Sequence, residues 1–264
     1  FHTFEQPREK RIMHIVRKVK RRLGYLGAAM VMSDEGSIEI NDRLVIEAFT
    51  ANPDNTFFIS FPRTGSHWLR MIMELYFERP SLVRVFYYPE RDDYLTLHSH
   101  DMQLDVERSH VIYLYRDPVD TIYSQLNYCK ESLDDLERVS YWSDLYGQHL
   151  NKWLFREQFT SQKTVVIYER MKENLDVEFE KITRHFGHSL SATKLAVAAA
   201  RVSKNEVKRK TRHDPQVVQL QSSYEVKREI FRQKHGKIVW EAVTNGRAHL
   251  LKQIGDLYGA RAYL

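Results

Sequence analysis

The strongest constraint on this chain is a unit that occurs three times: a β-prone run, a break, and then apolar residues at helical spacing. Thr56-Phe57-Phe58-Ile59-Ser60-Phe61 is suited to a buried strand. Pro62-Arg63-Thr64-Gly65-Ser66 stops it, and Trp68, Leu69, Ile72, Met73, Leu75 and Tyr76 follow with a helical period. The same order returns at His110-Val111-Ile112-Tyr113-Leu114-Tyr115, followed by Arg116-Asp117-Pro118 and a segment ending near Tyr128. Pro118 fits the first turn of a helix, where a missing N–H is not needed. The third run, Thr164-Val165-Val166-Ile167-Tyr168, precedes a helix whose Leu175, Phe179, Ile182 and Phe186 share one face, with Gly187 as its stop. Repeated units of this kind predict an α/β fold, a central parallel sheet flanked by helices.

The remaining segments fit around that frame. Trp142, Leu145, Tyr146, His149, Leu150 and Trp153 form a helical stripe read as core, and Ile238 to Tyr258 reads as a further helix interrupted by Gly246. Ser33 to Asp42 is acidic and turn-rich, so the core pattern starts only at Thr56. The resulting parse is a basic N-terminal helix and linker over residues 1–50 and an α/β domain over residues 51–264. Composition agrees, because 42% hydrophobic and 28% charged residues suit a soluble globular chain, and no run approaches the ~20 apolar residues that span a bilayer. The chain opens on Phe1-His2-Thr3-Phe4 without Met, which leaves room for a lost leader.

Charge excludes a further class of function. The net charge is +5, yet Arg8 to Arg22 holds eight Lys/Arg against Glu9, so the excess is local and no nucleic-acid footprint is expected. In that segment Ile12, Ile15, Val16, Val19 and Leu23 alternate with Arg11, Lys18 and Arg22 as in an amphipathic helix. Such a helix can make peripheral contact with an anionic membrane, or simply present a solvated charged face. The single Cys129 rules out a disulfide framework and a multi-thiolate zinc site, and favours a reducing, cytoplasmic location.

The segment from Ser60 to Trp68 has the parts of an anion cradle. Gly65 permits close backbone approach, a helix N-terminus offers unpaired N–H groups, Arg63 adds a permanent charge, and Thr64 and Ser66 add hydroxyls. The spacing is not that of a nucleoside triphosphatase loop, since only one glycine is present and no Lys-Ser/Thr pair follows to hold magnesium. Metal-free group transfer fits better.

These residues resemble the sulfotransferases that use 3′-phosphoadenosine-5′-phosphosulfate (PAPS) and release 3′-phosphoadenosine-5′-phosphate (PAP). Phe58 to Trp68 is similar to their P-loop-like 5′-phosphosulfate loop, a strand followed by Pro-Lys-Ser-Gly-Thr-Thr-Trp. Tyr113 to Ser124 resembles their 3′-phosphate motif, with Arg116 and, eight positions on, Ser124. Tyr168-Glu169-Arg170-Met171-Lys172 resembles the Tyr-Glu-Asp-Met-Lys segment of the cytosolic branch. Together they cover Phe58 to Gly187, about half the chain, in the family's order. The resemblance implies that Arg63, Thr64, Gly65, Ser66 and His67 surround the 5′-phosphosulfate. It implies further that Trp68 packs on adenine, Arg116 and Ser124 hold the 3′-phosphate, and Tyr168 lies near the base. Arg63 stands where lysine is usual, and His67 replaces a threonine. The C-terminal Arg-Lys-Gly motif survives loosely in Arg232 to Trp240, which carries over Arg232, Lys234 and Gly236; the basic run Val207 to Arg212 is a rival clamp for the 3′-phosphate.

Sulfonate transfer needs an acceptor in line with sulfur, a base for its proton, and positive charge on the leaving oxygen. The family's Lys-Thr-His triplet aligns with His98-Ser99-His100, which makes His100 the base, together with Arg63 in catalysis, and places His98 at the lysine position. The reverse assignment of the two histidines, and a carboxylate base at Asp101 or Glu74, stay open at this level. Phe86, Tyr87, Tyr88 and Tyr94, with Arg91, Asp92 and Asp93 between them, are candidates for an acceptor wall, with His98, Tyr88 and Tyr94 as substrate contacts. The expected acceptor is a hydroxyl or amine of a small molecule, glycan or glycolipid. The alternatives are a nucleotide-dependent kinase and a non-catalytic anion- or membrane-binding module, and oligomeric state is not legible.

Overall fold

The computed structural model describes residues 36–103, 106–155, 160–211 and 223–258; the basic segment 8–22 lies outside them. The strands are β1 (Ile38–Glu39), β2 (Thr56–Ser60), β3 (Ser81–Leu82), β4 (Arg84–Val85), β5 (Thr96–Ser99), β6 (His110–Tyr115) and β7 (Gln162–Ile167). The helices are α1 (Arg43–Ala51), α2 (Ser66–Phe77), α3 (Pro118–Cys129), α4 (Leu136–Phe155), α5 (Tyr168–Glu173), α6 (Leu175–His185), α7 (Ala192–Arg201), α8 (Lys204–Lys210), α9 (Tyr224–Thr244) and α10 (His249–Tyr258). Five strands form a parallel sheet in the order β3-β5-β2-β6-β7, and β1 pairs antiparallel with β4.

The sheet is covered on both faces because its strands are apolar on both. Phe57 and Ile59 of β2, with Val111 and Tyr113 of β6, share one core with Ile122 of α3, Tyr146 and Trp153 of α4, and Phe231 and Val239 of α9. Phe58, Ile112 and Leu114 point the other way, into Leu69 and Ile72 of α2, Phe179 of α6 and Leu195 of α7. Full burial of each such side chain contributes roughly 1.5–3 kcal/mol. Where α4 crosses α9, the absence of a side chain at Gly147 lets the helices close, since a Cβ there would lie 2.1 Å from the Val243 carbonyl oxygen.

Topology places the site. After β2 the chain moves to β3 and β5 on one side and then returns to β6 on the other. In open parallel sheets the crevice beyond the carboxyl ends at such a switch point is where ligands bind.

The fold departs from the sequence expectations in four places. The packed chain starts before the expected boundary at residue 51, because Phe49 of α1 is buried edge-on against Phe57, 5.9 Å between centroids, and β1 pairs with β4. The sheet has five strands where three were legible, since β3 and β5 are two and four residues long and carry no extended apolar run. Tyr168 opens α5 instead of closing β7. The C-terminal helix α9 begins at Tyr224, not Ile238, its buried Phe231, His235, Val239 and Val243 recurring every four residues among charged neighbours.

Candidate active site

The loop between β2 and α2 is held in an unusual backbone conformation. Arg63 has φ 70° and Gly65 φ 92°. The left-handed region costs an L-residue about 1 kcal/mol, so Arg63 must be fixed by its contacts. The Arg116 Nη1 donates to the Arg63 carbonyl at 2.9 Å, the Arg63 Nε donates to the Ser124 Oγ at 3.4 Å, and the Arg63 guanidinium lies 5.1 Å from the centre of the Tyr128 ring. Thr64 is fully buried and its hydroxyl donates to the Phe61 carbonyl at 2.9 Å, so that proton closes the loop and does not face a ligand as the sequence suggested. Ser66 and His67 open α2, and the Trp68 N–H donates to the Gly65 carbonyl at 3.2 Å.

Gly65 is required by its neighbour as well as by its φ. A Cβ would stand 2.5 Å from Cε2 and 2.8 Å from Cδ2 of Tyr168, the first residue of α5. Tyr168 thus lies directly on the loop. Its ring also meets Trp68 edge-on at 6.0 Å and carries the Arg116 guanidinium at 4.8 Å.

Arg116 follows the last residue of β6 and is buried, and its Nε has no partner among the described residues. Its backbone is locked by Tyr146, whose hydroxyl donates to the Arg116 carbonyl at 2.8 Å. Burial opposes its charge, but Tyr168 and Asp120 outweigh burial and hold the guanidinium protonated. Ser124 lies two turns along α3, a helix capped by Asp117, whose carboxylate accepts from the Asp120 N–H at 3.0 Å. Arg232 reaches this group from α9, bonding Asp117 at 2.8 Å and Asp120 at 2.6 Å, while Arg228 pairs with Asp120 at 3.4 Å.

Lys234 and Gly236 do not join the cluster through any contact described. Residues 232 and 234 are separated by about 200° around a helix, so Lys234 faces solvent and bonds Asp134 at 2.6 Å. Gly236 shares the Arg232 face, where an added Cβ would lie 3.9 Å from Val119 Cγ2. Of the rival basic run, Arg209 pairs with Glu206 and Lys210 lies 5.0 Å from the Tyr87 ring centre, while Arg212 lies outside the described residues.

The histidines are delivered by register. β5 pairs with β2 so that Phe58 faces His98 and Ile59 faces Ser99, which brings both histidines to Ser60. The His98 Nε2 lies 3.0 Å from the Ser60 hydroxyl, the His100 Nδ1 lies 2.6 Å from the Ser60 carbonyl, and the two rings meet edge-on at 4.9 Å. A carbonyl only accepts, so the His100 Nδ1 carries the hydrogen and the neutral ring keeps its lone pair on Nε2. Burial lowers the pKa of His100, and burial with the nearby Arg70 charge lowers those of His98 and His67 well below the usual value.

Both alternative carboxylates are committed to structure. Asp101 accepts from the Ser99 hydroxyl at 2.6 Å and from two nitrogens of Arg108 at 2.9 and 3.2 Å. Glu74 is buried and accepts from the N–H groups of Ser81, Phe86 and Tyr87, each at 2.9 Å. Of the aromatic wall, Phe86 packs against His67 at 5.8 Å. Tyr87 is clamped by Arg201 and Lys210 and donates to Glu206 at 3.2 Å. Tyr94 packs against the core on the α3 and α4 side, and Tyr88 is half-buried with its carbonyl accepting from the Arg91 N–H.

Tyr128, Tyr146 and His149 were missed as site residues. Tyr128 stands four residues after Ser124 on α3, a spacing that would have revealed it, whereas Tyr146 and His149 were hidden in the apolar stripe of α4.

A family model described as "Sulfotransferase domain" matches residues 94–244, more than half of the chain. That range contains His98, His100, Arg116, Ser124, Tyr168 and Arg232; the β2–α2 loop precedes it and joins the site through its contacts. Among solved structures, the mouse sulfotransferase SULT7A1 complexed with PAP is 15% identical, with 73% of this chain and 89% of that chain covered at a TM-score of 0.47. Retinol dehydratase in complex with androsterone and inactive cofactor PAP is 12% identical, with 75% and 83% covered at a TM-score of 0.48. No curated protein sequence matches.

Proposed function

The chain belongs to the sulfotransferase domain family, and from that premise we propose that it moves a sulfonate group from PAPS to a hydroxyl or amine of a small-molecule, glycan or glycolipid acceptor. The observation that carries this reading is the buried Nε of Arg116, without a partner among the described residues, inside the group formed by Arg63, Ser124 and Tyr168. A buried cationic donor left unmatched is costly, and an anionic oxygen is the partner that satisfies it.

PAPS would supply an activated sulfonate on a phosphate leaving group. Arg116 and Ser124 are suited to its 3′-phosphate, Trp68 and Tyr168 to its adenine, and Arg63, Ser66 and the α2 N-terminus to its 5′ end. Arg232 acts one step back, neutralising Asp117 and Asp120 beside Arg116. His100 takes the acceptor proton on Nε2, because Nδ1 is held by the Ser60 carbonyl and burial keeps the ring unprotonated at neutral pH. Arg63 remains charged throughout and stabilises the leaving oxygen without proton transfer. His98 is neutral in this setting and so positions through Ser60 rather than through charge.

The reading includes a cytoplasmic location, based on the single cysteine, with the 8–22 segment available to an anionic membrane surface. Among the described residues no helix is long and apolar enough to cross a membrane.

Calorimetric titration with PAP and with ADP tests the nucleotide assignment. PAP is expected to bind without metal and more tightly than ADP, and Arg116→Ala to weaken PAP by on the order of 100-fold, the loss of a charged hydrogen-bonding group. Equal PAP affinity in Arg116→Ala and the wild type would overturn it.

A further inference from the structure

We propose that His149, buried in α4, is a positioning residue that sets the orientation and tautomer of His100; the functional part of this inference rests on His100 being the base. The geometry is a relay of defined polarity. The His149 Nε2 lies 2.7 Å from the His100 carbonyl and its Nδ1 lies 2.9 Å from the Tyr113 hydroxyl. The carbonyl can only accept, so Nε2–H donates to it, and the Nδ1 of the neutral ring accepts from Tyr113. His149 is 1% exposed, and burial takes its pKa down to about 3, so the neutral form persists at working pH.

The contact falls where the backbone needs it. The residue after His100, Asp101, has φ 35°, a conformation that a non-glycine residue holds only when its surroundings impose it. One turn after His149, Lys152 is also buried, and its ammonium donates to the carbonyls of Gln103, at 3.0 Å, and Val106. One face of α4 therefore holds the carbonyls of residues 100, 103 and 106. With the His100 carbonyl pinned from one side, the ring can place Nδ1 on the Ser60 carbonyl, which leaves Nε2 as the proton acceptor.

The test reads the His100 ring directly, in protein labelled with nitrogen-15 at histidine, through two-bond proton–nitrogen spectra assigned with His100→Asn. The wild type is expected to show a single His100 tautomer, protonated at Nδ1. His149→Met, which removes the donor but keeps an unbranched side chain, is expected to lose that single tautomer and populate the Nε2–H form while PAP binding is unchanged. His149→Gln, which carries an Nε2 donor, is expected to restore it. Tyr113→Phe removes one hydroxyl and little volume, and is expected to cause the same change in part, which decides the matter should His149→Met fail to fold. A His100 spectrum identical to wild type in the folded variants would overturn the inference. Failure of the base assignment has a different signature: PAPS consumption with 2-naphthol as probe acceptor would survive His100→Ala, whatever the tautomer spectra show.

Discussion

Gly65→Ala is the most informative perturbation, because its two costs separate. The first is conformational: alanine at φ 92° costs about 1 kcal/mol. The second is steric. A Cβ 2.5 Å from Tyr168 Cε2 must be relieved by moving that ring roughly 1 Å to ordinary contact, against Trp68 on its edge and Arg116 on its face. Overpacking of this kind costs about 2 kcal/mol. The sum, about 3 kcal/mol, corresponds to a fall in Tm of roughly 6–12 °C for a chain of this size. Denaturant unfolding of Gly65→Ala, Tyr168→Ala and the double variant measures the parts. In the Tyr168→Ala background the steric cost vanishes, and Gly65→Ala should cost only the conformational 1 kcal/mol or so. PAP affinity should fall with Gly65→Ala, because the displaced ring carries the Arg116 guanidinium. If Gly65→Ala costs the same in both backgrounds, Tyr168 does not rest on the loop and the cradle is drawn wrongly.

Further outcomes follow from the electrostatics. His149 and His185 are buried with pKa values lowered to about 3 and about 4, below the value near 6.5 of the unfolded chain. Their neutral forms thus contribute stability that is complete above pH 6.5 and lost as pH falls toward 4, by about 1.4 kcal/mol per unit for each histidine. The urea midpoint should fall steadily over that interval, and a flat midpoint from pH 6.5 to 4 would contradict their burial as neutral groups. Arg232→Ala removes the charged partner of the buried Asp117 carboxylate, while Asp120 keeps Arg228, and should destabilise by about 1–3 kcal/mol. Lys234→Ala removes an exposed pair with Asp134 and should change stability by less than about 0.5 kcal/mol. The same denaturation measurement compares them, and equal losses would refute the division of the two residues between faces of α9.

Local pattern alone was enough for the elements that bury a continuous run. His110–Tyr115 is a strand because six β-prone residues in succession can be satisfied only by burial on both faces of a sheet, and Pro118 and Gly187 punctuate helices through backbone chemistry that needs no partner. Arg63, Gly65 and Arg116 were legible for the same reason, since they lie in or beside turns at strand ends, whereas Ser124, inside α3, was found through its spacing from Arg116. Other features depend on contacts between distant segments. β5 has too few apolar residues to announce itself, and only its pairing with β2 brings the His100 Nδ1 to the Ser60 carbonyl and so decides which nitrogen can accept a proton. The phase of α9, set by burial of Phe231 and Val239, turns Arg232 toward Asp117 and Lys234 to solvent, though both stand in one basic stretch. A residue's type and spacing declare what chemistry it can perform; which atoms it meets is fixed by packing across the sheet, where partners such as His149 and His100 lie 49 residues apart.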